Sequence, residues 1–322
     1  MTFSLLRPIS PMTALALSIV LSVACSADRG RGAGSAPTPP PPMTDSGTPS
    51  TPVADSGSPS TPPGTPDGCA EGAEWIYVVD RSGTLLRFQP DSLAFTAVGP
   101  LNCPVPAGVT PFSMSVDRNA MAWVLYQNGQ MYNVSTTDAS CTASSFVPNQ
   151  AGFENFGMGF VADSAGSSSE TLFVAGGPSL DMLLGSSSRL ASIDTASLTL
   201  TPRSGMLGGW PELTGTGAGE LYGFFPVTDI LGSGVTTVKR IDRDTGTPIE
   251  TFNLTSLNTS GVSAWAFAFW GGRFYIFVEI NRGGTAVHRF EPTSGTFETV
   301  VPSSGYSIVG AGVSTCAPVE LI

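Results

Sequence analysis

A chain with one histidine, His288, and five cysteines has few ways of doing chemistry. A Ser-His-Asp triad or a histidine-rich metal centre would have to be built around His288 alone, because general-base work in such sites falls most often to histidine. His288 stands beside Arg289 in a strand-like run, so an ordinary strand residue is the expected role. Paired carboxylates are the other catalytic arrangement to weigh, since glycoside hydrolysis needs two acids at a fixed separation. The candidates are Asp117, Glu154, Asp163 and Glu212. Trp210, Trp265 and Trp270 could offer an aromatic face to a sugar or peptide, although core packing is the commoner role for each. Cys69, Cys103, Cys141 and Cys316 suit two disulfides better than a metal site, for which no C-x-x-C spacing is present. No cofactor is implied.

The elements that must position these residues are short. From Cys69 onward, aromatic and β-branched runs alternate with Gly, Asn and Asp turn signals, and no long 3.6-residue period occurs, which reads as all-β. One run recurs with an aromatic near its start, at Tyr77, Trp123, Phe173, Tyr222 and Tyr275, spaced 46, 50, 49 and 53 residues apart. A second run follows each of these and usually ends in an apolar residue plus an acid, as in Ile193-Asp194, Ile241-Asp242 and Phe290-Glu291. A turn comes next in which Asp, Ser and Gly bond their own backbone or accept positive φ.

A third run precedes the aromatic one and alternates small with larger residues: Phe112-Ser-Met-Ser-Val, Phe156-Gly-Met-Gly-Phe, Thr214-Gly-Thr-Gly, Trp265-Ala-Phe-Ala-Phe and Val309-Gly-Ala-Gly-Val. Period two puts the small residues on one face, which suits the crowded strands nearest a propeller axis. A phosphate-cradling role is not supported, because none of these glycines opens a helix after a strand. The fifth small-residue run, 309–313, has no aromatic run after it, and the first aromatic run has no small-residue run before it. A ring repairs both ends, with the C-terminal strand completing the first blade. The expectation is a β-propeller over residues 69–322 with five four-stranded blades, or six if the segment from Gly176 to Ser188 hides strands. In that ring Cys69 and Cys316 flank the closure and a bond between them would staple it. Cys103 with Cys141 follows by elimination. Asp117 and Asp163 fall in turns after inner strands, which weakens the hydrolase reading.

The N-terminal residues are of another kind. Arg7, then an uncharged apolar run over 8–24, then Cys25 and a polar stretch follow the order of a secretory signal peptide, expected at 1–24. Its core, Met12 to Val23, is too short to span a bilayer, which takes about 20 apolar residues. Leu21-Ser22-Val23-Ala24-Cys25 resembles the lipobox of bacterial lipoproteins, with Ser22 where the family usually has leucine. The resemblance implies lipidation of Cys25, anchorage to membrane lipid through the acylated cysteine and, with Ser26 in place of Asp, the outer membrane, on its periplasmic face or at the cell surface. Residues 26–68 are Pro, Ser, Thr and Gly with little else, so 25–68 is expected to be a disordered tether reaching on the order of 100 Å.

The net charge of −11 leaves no basic stripe for phosphate contacts, and nucleic acid is an unfavoured partner. The whole layout resembles a group of bacterial lipoproteins with lipobox, Pro/Ser/Thr tether and a propeller with I-D-x-x-T-G-like turns. Ile241-Asp242-Arg-Asp-Thr245-Gly246 fits that turn, Ile193-Asp194 fits in part and Asn133-Val134-Ser135 departs from it. That group supplies no catalytic residues. The expected function is therefore non-catalytic: a monomeric propeller displayed at the envelope to bind a saccharide, a peptide or an envelope protein. An assembly scaffold and a glycoside hydrolase-like enzyme are the alternatives.

Overall fold

A computed structural model describes residues 68–184, 187–228 and 234–320. The expected signal peptide, Cys25 and the expected tether up to residue 67 lie outside the described residues. Strands β1 (Ile76–Asp80), β2 (Thr84–Gln89) and β3 (Ala94–Pro100) form the outer part of the first blade. The second blade is β4 (Pro111–Val116), β5 (Met121–Tyr126), β6 (Met131–Ser135) and β7 (Cys141–Ala143). The third is β8 (Asn155–Ala162), β9 (Glu170–Gly177), β10 (Ser188–Asp194) and β11 (Thr199–Leu207), with a short helix α1 (Ser179–Leu183) between β9 and β10. The fourth is β12 (Glu212–Gly215), β13 (Leu221–Phe225), β14 (Thr237–Ile241) and β15 (Pro248–Asn253), and the fifth is β16 (Val262–Trp270), β17 (Arg273–Ile280), β18 (Thr285–Glu291) and β19 (Thr296–Val301). The last strand, β20 (Ile308–Gly312), returns to β1, pairing Tyr77 with Gly312 and Val79 with Gly310, and completes the first blade. The protein is a five-bladed β-propeller of four-stranded antiparallel sheets.

The strands nearest the axis, β20, β4, β8, β12 and β16, lie one against the next around a closed circle. Their small residues are what let them do so. A Cβ on Gly310 would stand 2.8 Å from the Met114 nitrogen, and one on Gly312 would stand 2.7 Å from Ser115 Cα. On β8, a Cβ at Gly159 would come within 3.0 Å of Thr214 Cα on β12. Larger residues on the alternate positions fill the wedges between blades. Ile76, Val78 and Phe88 of the first blade meet Tyr275 and Phe277 of the fifth, while Tyr77, Val79 and Leu85 meet Met114, Val116 and Val124 of the second. Period two thus sends alternate side chains of a single strand, β1, into two different wedges.

The turn from the third to the fourth strand has one form in all five blades. Its fourth or fifth residue has positive φ: Leu93 (57°), Ala139 (59°), Leu198 (56°), Gly246 (74°) and Gly295 (72°). In two blades an aspartate closes it, Asp194 Oδ1 accepting from the Ala196 and Ser197 amides and Asp242 Oδ1 from the Asp244 and Thr245 amides. These bonds hold both carboxyls below their usual pKa. In the second blade, where the sequence departs from the motif, the Ser135 hydroxyl accepts from the Thr137 amide instead (3.2 Å).

Two disulfides join the chain. Cys69–Cys316 links the residues on either side of the closure, with Cα atoms 6.1 Å apart, and Cys103–Cys141 links the segment that follows β3 to the first residue of β7 at 5.1 Å. Bonds of this kind persist in oxidising compartments, so the folded domain is extracytoplasmic. Among the described residues no helix is long and apolar enough to cross a membrane.

Candidate functional site

A propeller has two ends, and here the chain treats them differently. All inner strands run the same way, so the residues that start them gather at one end, the entrance, and those that finish them at the other, the exit. The C-terminal residues 314–318 lie across the exit. The Ser314 hydroxyl donates to the Ala73 carbonyl (2.7 Å), Arg118 Nη1 of the second blade donates to Thr315 Oγ1 (3.0 Å), and Thr315 Oγ1 donates to Glu170 Oε2 of the third blade (2.7 Å). A Cβ on Gly217, just beyond β12, would stand 2.5 Å from the Thr315 carbonyl oxygen, and the Gly271 amide of the fifth blade donates to the Pro318 carbonyl (2.7 Å). One short segment, held by Cys69–Cys316, thereby touches all five blades and closes the exit.

The entrance is open. A cavity of about 190 Å³ lies there, and every blade contributes to its wall. Arg81, Phe112 and Met182 come from the first three blades, Glu212 from the fourth and Trp265 from the fifth, with Val309 of β20 completing the circuit. Phe112, Met182, Trp265 and Val309 make the wall mainly apolar.

Glu212 is the buried acid of this wall, with 4% of its surface exposed. As the first residue of β12 it sits at the entrance end, and Gly157 of β8 clears its path: a Cβ there would stand 2.8 Å from Glu212 Cα. The Glu212 side chain crosses over β8 to β4, two blades away, where the Ser113 hydroxyl donates to Oε2 (2.8 Å). Burial pushes the Glu212 carboxyl well above the usual carboxylate range. The Ser113 hydroxyl and the Met158 backbone oppose the shift without cancelling it. Burial thus favours the protonated, uncharged form of Glu212 more than it would for an exposed carboxyl.

At the rim, Arg81 makes the opposite arrangement. Its Nη2 donates to Glu279 Oε2 (3.0 Å) and to the Ser263 carbonyl (3.1 Å), and its Nε donates to Ser307 Oγ (3.1 Å). Glu279 also accepts from the Ser263 and Ser307 hydroxyls. Burial raises its pKa, but these bonds and the Arg81 charge outweigh that and keep it below the usual range. The cluster ties the fifth blade to the first, and Glu279 is spent on it.

The four acids singled out from the sequence are not brought together. Asp117 caps the turn between β4 and β5, accepting from the Asn119 and Met121 amides and from Trp123 Nε1. Glu154 accepts from the Ser179 amide (3.0 Å), and Asp163 accepts from Thr171 Oγ1 (2.8 Å). Of the tryptophans, Trp265 lines the cavity, Trp210 is buried, and Trp270 Nε1 donates to the Glu74 carbonyl (2.9 Å). His288 lies on β18, bonded through Nδ1 to Thr299 Oγ1 (3.0 Å) and stacked on Phe297, and its burial lowers its pKa. Arg81, Ser113 and Met182 were not legible as site residues. Ser113 looks like one more small inner-strand residue, and only the fold sets it opposite Glu212. Among the described residues no group of three or more His, Cys, Asp or Glu is placed to hold a metal ion.

No protein-family model matches the sequence, and no curated protein matches it. Solved structures with a similar course include TolB from Acinetobacter baumannii, at 13% identity over 74% of this chain and 54% of that chain, with a TM-score of 0.41. This chain thus spans about half of that protein's length. A putative TolB from Agrobacterium tumefaciens is similar at 11% identity over 77% of this chain and 84% of that one, TM-score 0.41. A chain of a nidogen/laminin complex is similar at 8% identity over 74% and 97%, TM-score 0.44. Each is a likeness only, and the five-bladed ring rests on its own strand pairing.

Proposed function

We propose that this protein is a non-catalytic bacterial lipoprotein, anchored by lipid on Cys25 to the outer membrane, that binds a ligand in the entrance cavity of its propeller. The observation that carries the binding role is the cavity itself, at the end opposite the 314–318 segment, mainly apolar, and walled by all five blades around one buried acid. Sites for small ligands are concave, apolar and furnished with few polar groups. The absence of a catalytic role is supported by the dispersal of the acids, since Glu212 faces no second carboxyl on the cavity wall and Glu279 is engaged with Arg81. The chain enters the ring at Cys69 on the exit end, so the attachment point and the open cavity are at opposite ends of the propeller.

Trp265 provides the test. Titration of saccharides and short peptides into the protein should quench or shift its tryptophan fluorescence saturably, and Trp265→Ala should weaken that binding at least about tenfold. Silence across such a panel, with a fixed envelope protein recovered by crosslinking, would instead favour a scaffold. Anchorage has its own measurement, mass spectrometry of the mature N-terminus. A diacylated Cys25 is expected, and an unmodified chain beginning at Ser26 or later would defeat the anchor.

A further inference from the structure

The chemistry of the entrance cavity narrows its ligand, an inference that rests on the cavity being the binding site. The groups around Glu212 are nearly all uncharged. β4, β8, β13 and β16 bring no acidic or basic side chain toward it; Tyr222 on β13 pairs with Thr214, further along, and Glu170, the charged residue of β9, is at the exit end. The cation on the same wall, Arg81, is committed to Glu279, Ser263 and Ser307. The Ser113 hydroxyl and the Met158 backbone bond the carboxyl, and with no free cation among the described residues of the wall, burial favours its protonated form. Trp265, on the same wall, has an Nε1 that is buried and has no acceptor among the described residues. A buried acid without a free counter-charge, set among Phe112, Met182 and Val309, suits a ligand that brings an acceptor oxygen, no charge, and apolar surface beside it.

We propose that the cavity receives the neutral amide of an N-acylated ligand, its carbonyl oxygen accepting from the carboxylic acid of Glu212 while its acyl carbon packs against Phe112, Trp265 and Val309. An N-acetylated sugar and a peptide amide share this group. A small organic cation is the competing chemistry, because a buried acid between aromatic rings also suits an ammonium once ionised. The two are separated by the sign of the pH dependence. An amide that accepts from the acid binds best below the pKa of Glu212 and loses about tenfold in affinity per pH unit above it, whereas a cation gains with rising pH.

The experiment is calorimetric titration of the mature full chain with N-acetylglucosamine, N-acetylalanine methylamide and choline between pH 5 and 9, repeated with Glu212→Gln. The near-isosteric amide of Gln keeps a donor and cannot ionise. The expected result is binding of the neutral amides with an affinity that breaks at the Glu212 pKa, read independently from the ¹³C shift of the labelled carboxyl. In E212Q that binding should persist with a flat pH profile. The stronger of the two amide probes identifies sugar or peptide as the source. Choline binding that strengthens with pH and vanishes in E212Q would overturn the amide while leaving the cavity a binding site. So would amide binding lost in an E212Q variant of unchanged thermal stability. If no probe binds, and Trp265→Ala matches the parent toward every ligand of the wider panel, the cavity reading falls as well.

Discussion

Two glutamates at opposite ends of the ring show how burial raises a carboxyl's pKa against the hydrogen bonds it accepts. Glu170, near the exit, accepts from the Arg118 amide (2.8 Å) and from Thr315 Oγ1 (2.7 Å), yet burial pushes its pKa from 4.5 up to about 6. A carboxyl that binds its proton more tightly when folded contributes stability that is complete below its unfolded pKa and lost as the pH rises through the folded one. The stability from Glu170 should accordingly decline between about pH 4.5 and pH 6. Glu170→Gln cannot ionise and escapes that decline, so the melting temperature of E170Q relative to the parent should climb across this interval and level off above it. Scanning calorimetry from pH 4 to 8 checks the sign; a difference that does not change with pH would mean that the carboxyl titrates normally. Glu170 drew no notice as a sequence because it precedes the aromatic run of its blade and resembles a surface strand end. Glu212 did stand out, but among three other acids of equal standing, since the Ser113 hydroxyl that partners it is 99 residues away in the chain.

At the scale of the element, the inner strands carry their information in what their side chains lack. Gly215 has ordinary backbone geometry, yet a Cβ there would fall on the Phe160 carbonyl oxygen of β8. Gly215→Ala has no flexible neighbour to push aside and should destabilise by about 3 kcal/mol or more, in the manner of an overpacked core. Gly99→Ala on the outer β3, whose Cβ would meet the Ala139 Cβ at 3.4 Å and the Asp138 carbonyl oxygen at 3.6 Å, should change stability by less than about 1 kcal/mol. Urea unfolding of the two variants tests the contrast, and equal losses would refute the crowding argument. The small-residue alternation was readable because period two survives in the sequence. The turn after the third strand was only half readable. Gly246 and Asp242 announce it, whereas Leu198 and Ala139 reach the same left-handed conformation with none of the usual glycine, and Ser135 does the work of an aspartate. Those side chains are retained by packing, Ala139 in the wedge between the first two blades and Leu198 against the one between the second and third.

For the whole molecule, closure is the decisive event. The Cys69–Cys316 disulfide spans 247 residues of sequence and Cys103–Cys141 spans 38. On the chain-entropy model the first contributes about 5 kcal/mol and the second about 4 kcal/mol. Replacing Cys69 and Cys316 together by serine should therefore cost more than replacing Cys103 and Cys141, and it should also loosen the segment that covers the exit. Hydrogen exchange at Thr315 to Ala317 and denaturant midpoints of the two double variants measure both effects. A larger loss from the shorter loop would show that closure is carried by β20 pairing and not by its staple.

The repeat, a ring of five or six blades, its closure by a C-terminal strand in the first sheet, and the even set of four cysteines beyond Cys25 were legible in the chain alone. These are periodic or countable properties, and each blade writes them locally. Which end of the ring is open, that residues 314–318 lie over the other, and that Glu212 rather than Asp117, Glu154 or Asp163 lines the entrance cavity came from the folded arrangement. Such facts depend on what strands from different blades place beside one another, and contacts across the axis leave no spacing in the chain from which they could be read.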